Sequence, residues 1–240
     1  MDPAEAFAPD GVVAVVGAGG KKSTLYALAA GLDRSALTAT VRIPPFEDHV
    51  DRHVVTETPV DVLRSNETWP LGLVPGRDGD RDRYLGYGVE TVDAMADATD
   101  VPVLVKADGA RGRWLKAPAD DEPQIPGSTT LVVPVVSVRA VGEPLDGDHI
   151  HRPERVAAIT ALEFGDEIRP GDIAAVLTHP EGGLRGVPQG ATVRPLVNMV
   201  DDADLEATAR RIAAEVFGHE RVEAVVLGRM DRRLVVDVVG

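Results

Sequence analysis

The residues with the most chemistry in their types and spacing lie at 12–24, Val-Val-Ala-Val-Val-Gly-Ala-Gly-Gly-Lys-Lys-Ser-Thr. Gly17, Ala18, Gly19 and Gly20 free the backbone for unusual dihedrals and close approach to a ligand. Lys21 and Lys22 supply ammonium groups, and Ser23 and Thr24 supply hydroxyls. Strand, glycine turn, lysine, hydroxyl and helix in that order form a phosphate-binding loop. Backbone N–H groups and the helix N-terminus receive the anion, a lysine neutralises it, and a hydroxyl holds Mg²⁺. The spacing is one or two residues short of Gly-x-x-x-x-Gly-Lys-Ser/Thr, and two registers compete. Gly20-Lys21 forms the Gly-Lys pair in one, with Lys22 where a hydroxyl is expected. Lys22-Ser23 forms the Lys-Ser pair in the other, with Lys21 where glycine is expected. A glycine-rich turn with solvated lysines is the alternative.

A second group follows the apolar run 101–105: Lys106-Ala-Asp108-Gly-Ala-Arg111-Gly. An aspartate just past a buried strand is where a phosphate-binding fold places its Mg²⁺-organising acid, although an Asp-Gly turn would look the same. Asp108 is thus a candidate catalytic and metal residue beside Lys21. Lys116, Arg111, His151 and Arg152 are candidates for contact with phosphate or a second substrate. His149 and His151 could also ligate a metal, but two histidines do not complete a closed site. Residues 198–201, Asn-Met-Val-Asp, resemble the Asn-Lys-x-Asp with which GTP-binding folds read guanine, so Asn198 and Asp201 are nucleotide-site candidates. Helix capping by Asp201 is the competing reading.

Lysine is scarce: 21 arginines stand against Lys21, Lys22, Lys106 and Lys116. Those four fall in the two stretches already singled out, as expected if lysine survives where an ammonium is needed. The formal net charge of −14 argues against nucleic-acid partners, which require a basic footprint. It suggests a halophilic type of surface. The absence of cysteine excludes disulfides, thiolate metal sites and covalent thiol chemistry. No apolar run is long enough to span a membrane. Residues 1–10 are acidic and do not resemble a signal peptide. A cytoplasmic protein without a membrane partner is the expectation.

The elements that must position these groups alternate strand and helix. Strands are expected at 12–16, 36–43, 54–55, 71–74, 101–105, 131–136, 172–177, 193–197, 222–227 and 234–238. Helices are expected from Lys21, Thr58 and Val89, at 153–162 and at 205–217. Residues 75–83 read as a polar turn. This is an α/β pattern with a mainly parallel sheet in three layers, P-loop NTPase-like, forming one domain over residues 1–240. Right-handed crossovers bring the loops after 12–16, 101–105, 173–177 and 193–197 to one sheet edge.

The ordered blocks Val-Gly-Ala-Gly-Gly-Lys-Lys-Ser (16–23), Ala-Asp-Gly-Ala-Arg-Gly (107–112), Leu-Lys-Ala-Pro (115–118), Glu-Pro-Gln-Ile-Pro (122–126), His-Arg-Pro-Glu (151–154) and Thr-His-Pro-Glu-Gly-Gly (178–183) resemble the YqeC family. With Asn198 and Asp201 the resemblance spans about residues 11–205. It aligns Gly20-Lys21 as the Gly-Lys pair. That family is described as accessory proteins of selenium-dependent molybdenum hydroxylases, serving their selenium-containing cofactor. The resemblance implies ATP or GTP binding with Mg²⁺ at Ser23 and Asp108. Its implied partners are a molybdenum hydroxylase or its pterin cofactor. The alternatives are a non-hydrolysing carrier of a phosphorylated pterin and a small-molecule kinase. Two positions depart from the family pattern: Lys22 stands where the family has Thr, and Lys106 where it has Glu.

Overall fold

The computed structural model describes residues 1–79 and 81–240. β1 (Val12–Gly17) lies near the middle of a large sheet and is buried almost throughout, as expected of a parallel strand covered on both faces. Its neighbours are β5 (Val103–Lys106) on one side and β7 (Thr129–Ser137) on the other. Beyond β5 come β2 (Ala36–Ala39), β4 (Leu71–Val74) and β3 (Arg52–Val55). Beyond β7 come β10 (Leu196–Asn198), β11 (Val225–Arg229) and β12 (Leu234–Val239). β9 (Thr192–Val193) pairs with the start of β7. Among the described residues these pairings are parallel except β11–β12, which is antiparallel.

Alternation along the strands sorts the core into layers. Val13 and Val15 face one side with Leu104, Leu37 and Val133, packed against α1 (Pro3–Phe7) and α2 (Lys21–Gly31). Val12, Ala36 and Val103 face the other side, packed against α3 (Pro59–Arg64) and α4 (Val89–Asp97). On that same side Val136, Val197 and Val225 pack with α5 (Pro153–Thr160), α6 (Pro170–Thr178) and α7 (Ala203–Phe217). The result is a three-layer α/β fold of the P-loop NTPase-like kind. The chain leaves β1 for β2, and β5 later inserts between them. This reversal opens a crevice at the C-terminal ends of β1, β5 and β7, where open α/β sheets bind ligands. A short second sheet, β6 (Leu115–Lys116) with β8 (Ile150–His151), sits beside it.

Several expected elements differ. Residues 172–177 are helical, within α6, not a strand. Pro170 stands in the first turn, and Asp172 Oδ2 accepts the Arg169 amide at 2.8 Å. The buried positions Ile173, Ala174, Val176 and Leu177 then follow helical spacing. A short apolar run does not by itself separate strand from helix. The strand expected over 36–43 stops at Ala39, and Ile43 makes only an isolated bridge to Tyr84. The strand at 193–197 is split into β9 and β10 at Pro195, which has no donor for the ladder. Asp202, not Asp201, caps α7, accepting the Leu205 amide at 2.9 Å. Of the turn at 75–83, Arg77 bridges to Tyr84 and Asp80 lies outside the described residues.

Candidate functional site

The glycine turn ends on Gly20, the N-cap of α2, which has no side-chain cap. Its conformation is dictated first by the protein. Gly19 has φ +84°, and an added Cβ would overlap the backbone nitrogen of Ser137 at the end of β7. Gly20 has φ +128°, and an added Cβ would overlap the side-chain amide of Asn198. The Ala18 amide donates to the Val135 carbonyl (2.8 Å) and the Gly19 amide to the Arg113 carbonyl (2.9 Å). The Gly17 amide donates to Asp108 Oδ2 (2.9 Å). The first hydrogen bond of α2 runs from the Thr24 amide to the Gly20 carbonyl. Among the described residues no acceptor faces the amides of Lys21, Lys22 and Ser23, the orphan donors of a helix start.

Lys21 is buried and Lys22 is exposed, so the structure places Lys21 inside the loop. Its ammonium donates to the Gly17 carbonyl and lies 2.9 Å from Asp108 Oδ1. Lys116, on β6, lies 3.0 Å from Asp108 Oδ2 and 2.7 Å from Glu122 Oε2. Arg152 reaches the same Glu122 oxygen at 2.7 Å. The groups alternate in sign from interior to mouth: Lys21, Asp108, Lys116, Glu122, Arg152. Burial alone would push Asp108 up, but Lys21 and Lys116 outweigh it and hold the carboxyl below the usual range. Glu122 is also held low: Lys116 and Arg152 outweigh the upward push of burial. Lys106 is buried and donates to the Arg42 carbonyl at 2.8 Å. Burial, with Lys21 and Lys116 adding to it, lowers its ammonium to about 7. His151 pairs in register with Lys116, and burial plus the Arg152 and Lys116 charges lower its imidazole to about 4. Arg111 and Arg152 both have positive φ, +48° and +60°, a strained conformation that concentrates at functional sites.

The structure thus gathers Lys21, Asp108, Lys116, His151 and Arg152 at one sheet edge. Other candidates are engaged elsewhere. Thr24 is fully buried and its hydroxyl returns to the Gly20 carbonyl at 3.1 Å. Asn198 spends both ends of its carboxamide on the protein. Nδ2 donates to the Gly19 carbonyl (2.8 Å), and Oδ1 accepts the Met230 amide (3.0 Å). Asp201 is paired with Arg139 (2.6 Å) and Arg229 (3.1 Å). His149 pairs with Asp146 at 3.1 Å. Sequence reasoning did not single out Glu122, the carboxylate joining Lys116 to Arg152. Its signal was a place in the Glu-Pro-Gln-Ile-Pro block at 122–126, and its partner arginine is 30 residues away.

The loop after α6 covers this edge. Val176, Leu177, Gly182 and Gly183 line a cavity of about 20 Å³ with Gly17, Asp108 and Lys116, room for about one water. Among the described residues no group of three His, Cys, Asp or Glu side chains could hold a metal. A Mg²⁺ here would therefore depend on ligand phosphates and water, as Mg²⁺ commonly does. The residues fit that role. Ser23 makes no side-chain hydrogen bond among the described residues, and buried Asp108 Oδ1 has the Lys21 ammonium as its one described partner.

Among the described residues no helix is long and apolar enough to cross a membrane. No solved structure matches the chain. The chain is 29% identical over 222 residues to "Uncharacterized protein YqeC" of Escherichia coli (strain K12), covering 90% of this chain and 86% of that one. The family model described as YqeC protein matches residues 13–154, more than half of the chain and including the loop, Asp108, Lys116, Glu122 and His151-Arg152. The chain belongs to the YqeC family.

Proposed function

We propose that this protein binds ATP or GTP with Mg²⁺ at the start of α2 and serves, as an accessory factor, the maturation of a selenium-dependent molybdenum hydroxylase or its cofactor. Family membership supports the place in that hydroxylase system. One observation carries the ligand class: in a chain of net charge −14, buried Lys21 and Lys116 converge with Arg152 on two carboxylates, Asp108 and Glu122. Such local excess of positive charge beside open helix amides suits a phosphate. Lys21 and the amides of Lys21, Lys22 and Ser23 would take the anion, with Gly17, Ala18, Gly19 and Gly20 shaping the turn. Ser23 and Asp108 would hold Mg²⁺, which would neutralise charge on phosphate oxygens. Arg111, Lys116, His151 and Arg152 would meet the rest of the ligand. Asn198 would act by fixing the turn. Chemistry at such a site rests on positioning and charge neutralisation, with no covalent nucleophile.

A second reading is a module that holds a phosphorylated pterin without hydrolysing anything. It is favoured by the state of Asp108, gripped by Lys21, Lys116 and the Gly17 amide, and by Lys106 where the family carries an acid. Titration with ATP, GTP and a pterin phosphate, with Mg²⁺ in high salt and followed by phosphate release, separates the two. Nucleotide turnover abolished in Asp108→Ala supports the first reading. Binding without turnover supports the second. No binding of any of the three ligands overturns both.

A further inference from the structure

The amides around the turn set a limit on what it grips. Those of Gly17, Ala18 and Gly19 already donate to Asp108, Val135 and Arg113. The carbonyls of Gly17 and Gly19 accept from Lys21 and Asn198. The turn is also immobilised on both flanks, with Gly19 pressed on Ser137 and Gly20 on Asn198. A loop that wraps a polyphosphate chain must turn successive amides toward it. Here the amide of Gly20 and those that open α2 remain, beside the buried ammonium of Lys21, which also serves the Gly17 carbonyl and Asp108. Beside them the buried Asp108 carboxylate is neutralised by Lys21 and Lys116 and borders the small cavity shared with Lys116.

We infer that the start of α2 is a cradle for a single phosphoryl group, so that its ligands are phosphomonoesters or the terminal phosphate of a longer chain, gripped end-on. This rests on the phosphate-binding reading above and narrows it. Further phosphates of a di- or triphosphate lie outside the cradle and add little to affinity. Three or four N–H donors at one helix terminus match the oxygens of one phosphoryl group. The ligand's remainder extends toward Arg111 and Arg152.

The test is calorimetric titration of the full chain with AMP, ADP, ATP, adenosine and orthophosphate, at a salt concentration that screens long-range attraction to the more highly charged ligands. The expected result is dissociation constants for AMP, ADP and ATP within about threefold of one another, competition by orthophosphate, and no binding of adenosine. An increase in affinity of tenfold or more with each added phosphate would overturn the single-phosphoryl cradle while leaving phosphate binding intact. Failure of every phosphate ligand to bind would remove the phosphate-binding reading itself.

Discussion

The side chain of Asn198, at the end of β10, donates to the carbonyl of Gly19 at 2.8 Å, across 179 residues of sequence. Its other end accepts the Met230 amide at 3.0 Å. The turn before α2 is therefore tied to a strand on the far side of β7, and its shape does not depend on a ligand. Asn198→Ala leaves two buried backbone groups unpaired and should cost about 1–3 kcal/mol. Asn198→Asp, which cannot donate to Gly19, should be similarly costly. Urea denaturation checks both; wild-type stability in either variant would show that the turn holds itself.

Asp108 is the only described counter-charge within ion-pairing distance of Lys21, and it also serves Lys116. Asp108→Ala should destabilise by about 3–5 kcal/mol, because breaking a buried pair strands its partners. Adding Lys116→Met should recover part of that loss in a double-mutant cycle. A double-variant loss equal to the sum of the two single losses would mean that the two charges are not coupled.

His151 gives the fold a defined acid sensitivity. An unfolded imidazole titrates at about 6.5, whereas in the fold burial, Arg152 and Lys116 lower it to about 4. Between those values the unfolded chain binds the extra proton, so stability falls as pH falls through that window. Asp108 and Glu122, held low by their cations, extend the loss to more acidic pH. Thermal melting of His151→Gln from pH 7 to pH 4 should show a shallower decline than wild type. An unchanged slope would contradict the assignment.

The parts of the molecule legible in sequence were those with local signals. β1 showed as an uninterrupted apolar run, α3 as a helix starting at Thr58, and β11 and β12 as apolar strands. Lys21, Asp108 and Lys116 were legible because they follow or lie within buried strands and lysine is otherwise nearly absent. Residues 172–177 were misread because the short apolar run 173–177 fits either period. The roles of Glu122 and Asn198 depend on partners far away in the chain, which spacing does not reveal. Lys106 was legible as a departure, but its burial against the Arg42 carbonyl needed the fold.

The excess of acidic residues carries a further expectation. If the surface is of the halophilic type, screening of like charges should compact and stabilise the fold. The melting temperature should rise between about 0.1 and 2 M KCl. A flat or falling dependence would leave ordinary acidity as the explanation of the charge.

The proposed anion site at the start of α2 follows a turn whose Gly17, Ala18 and Gly19 amides already donate to the protein. Amide chemical-shift mapping tests this most directly, by adding orthophosphate and then ATP with Mg²⁺ in high salt. The predicted result is saturable shifts at Lys21, Lys22 and Ser23, with smaller shifts at Lys116, and Gly17, Ala18 and Gly19 nearly unmoved. Shifts concentrated at Gly17–Gly19 with α2 silent, or no saturable shift at any of these residues, would contradict it.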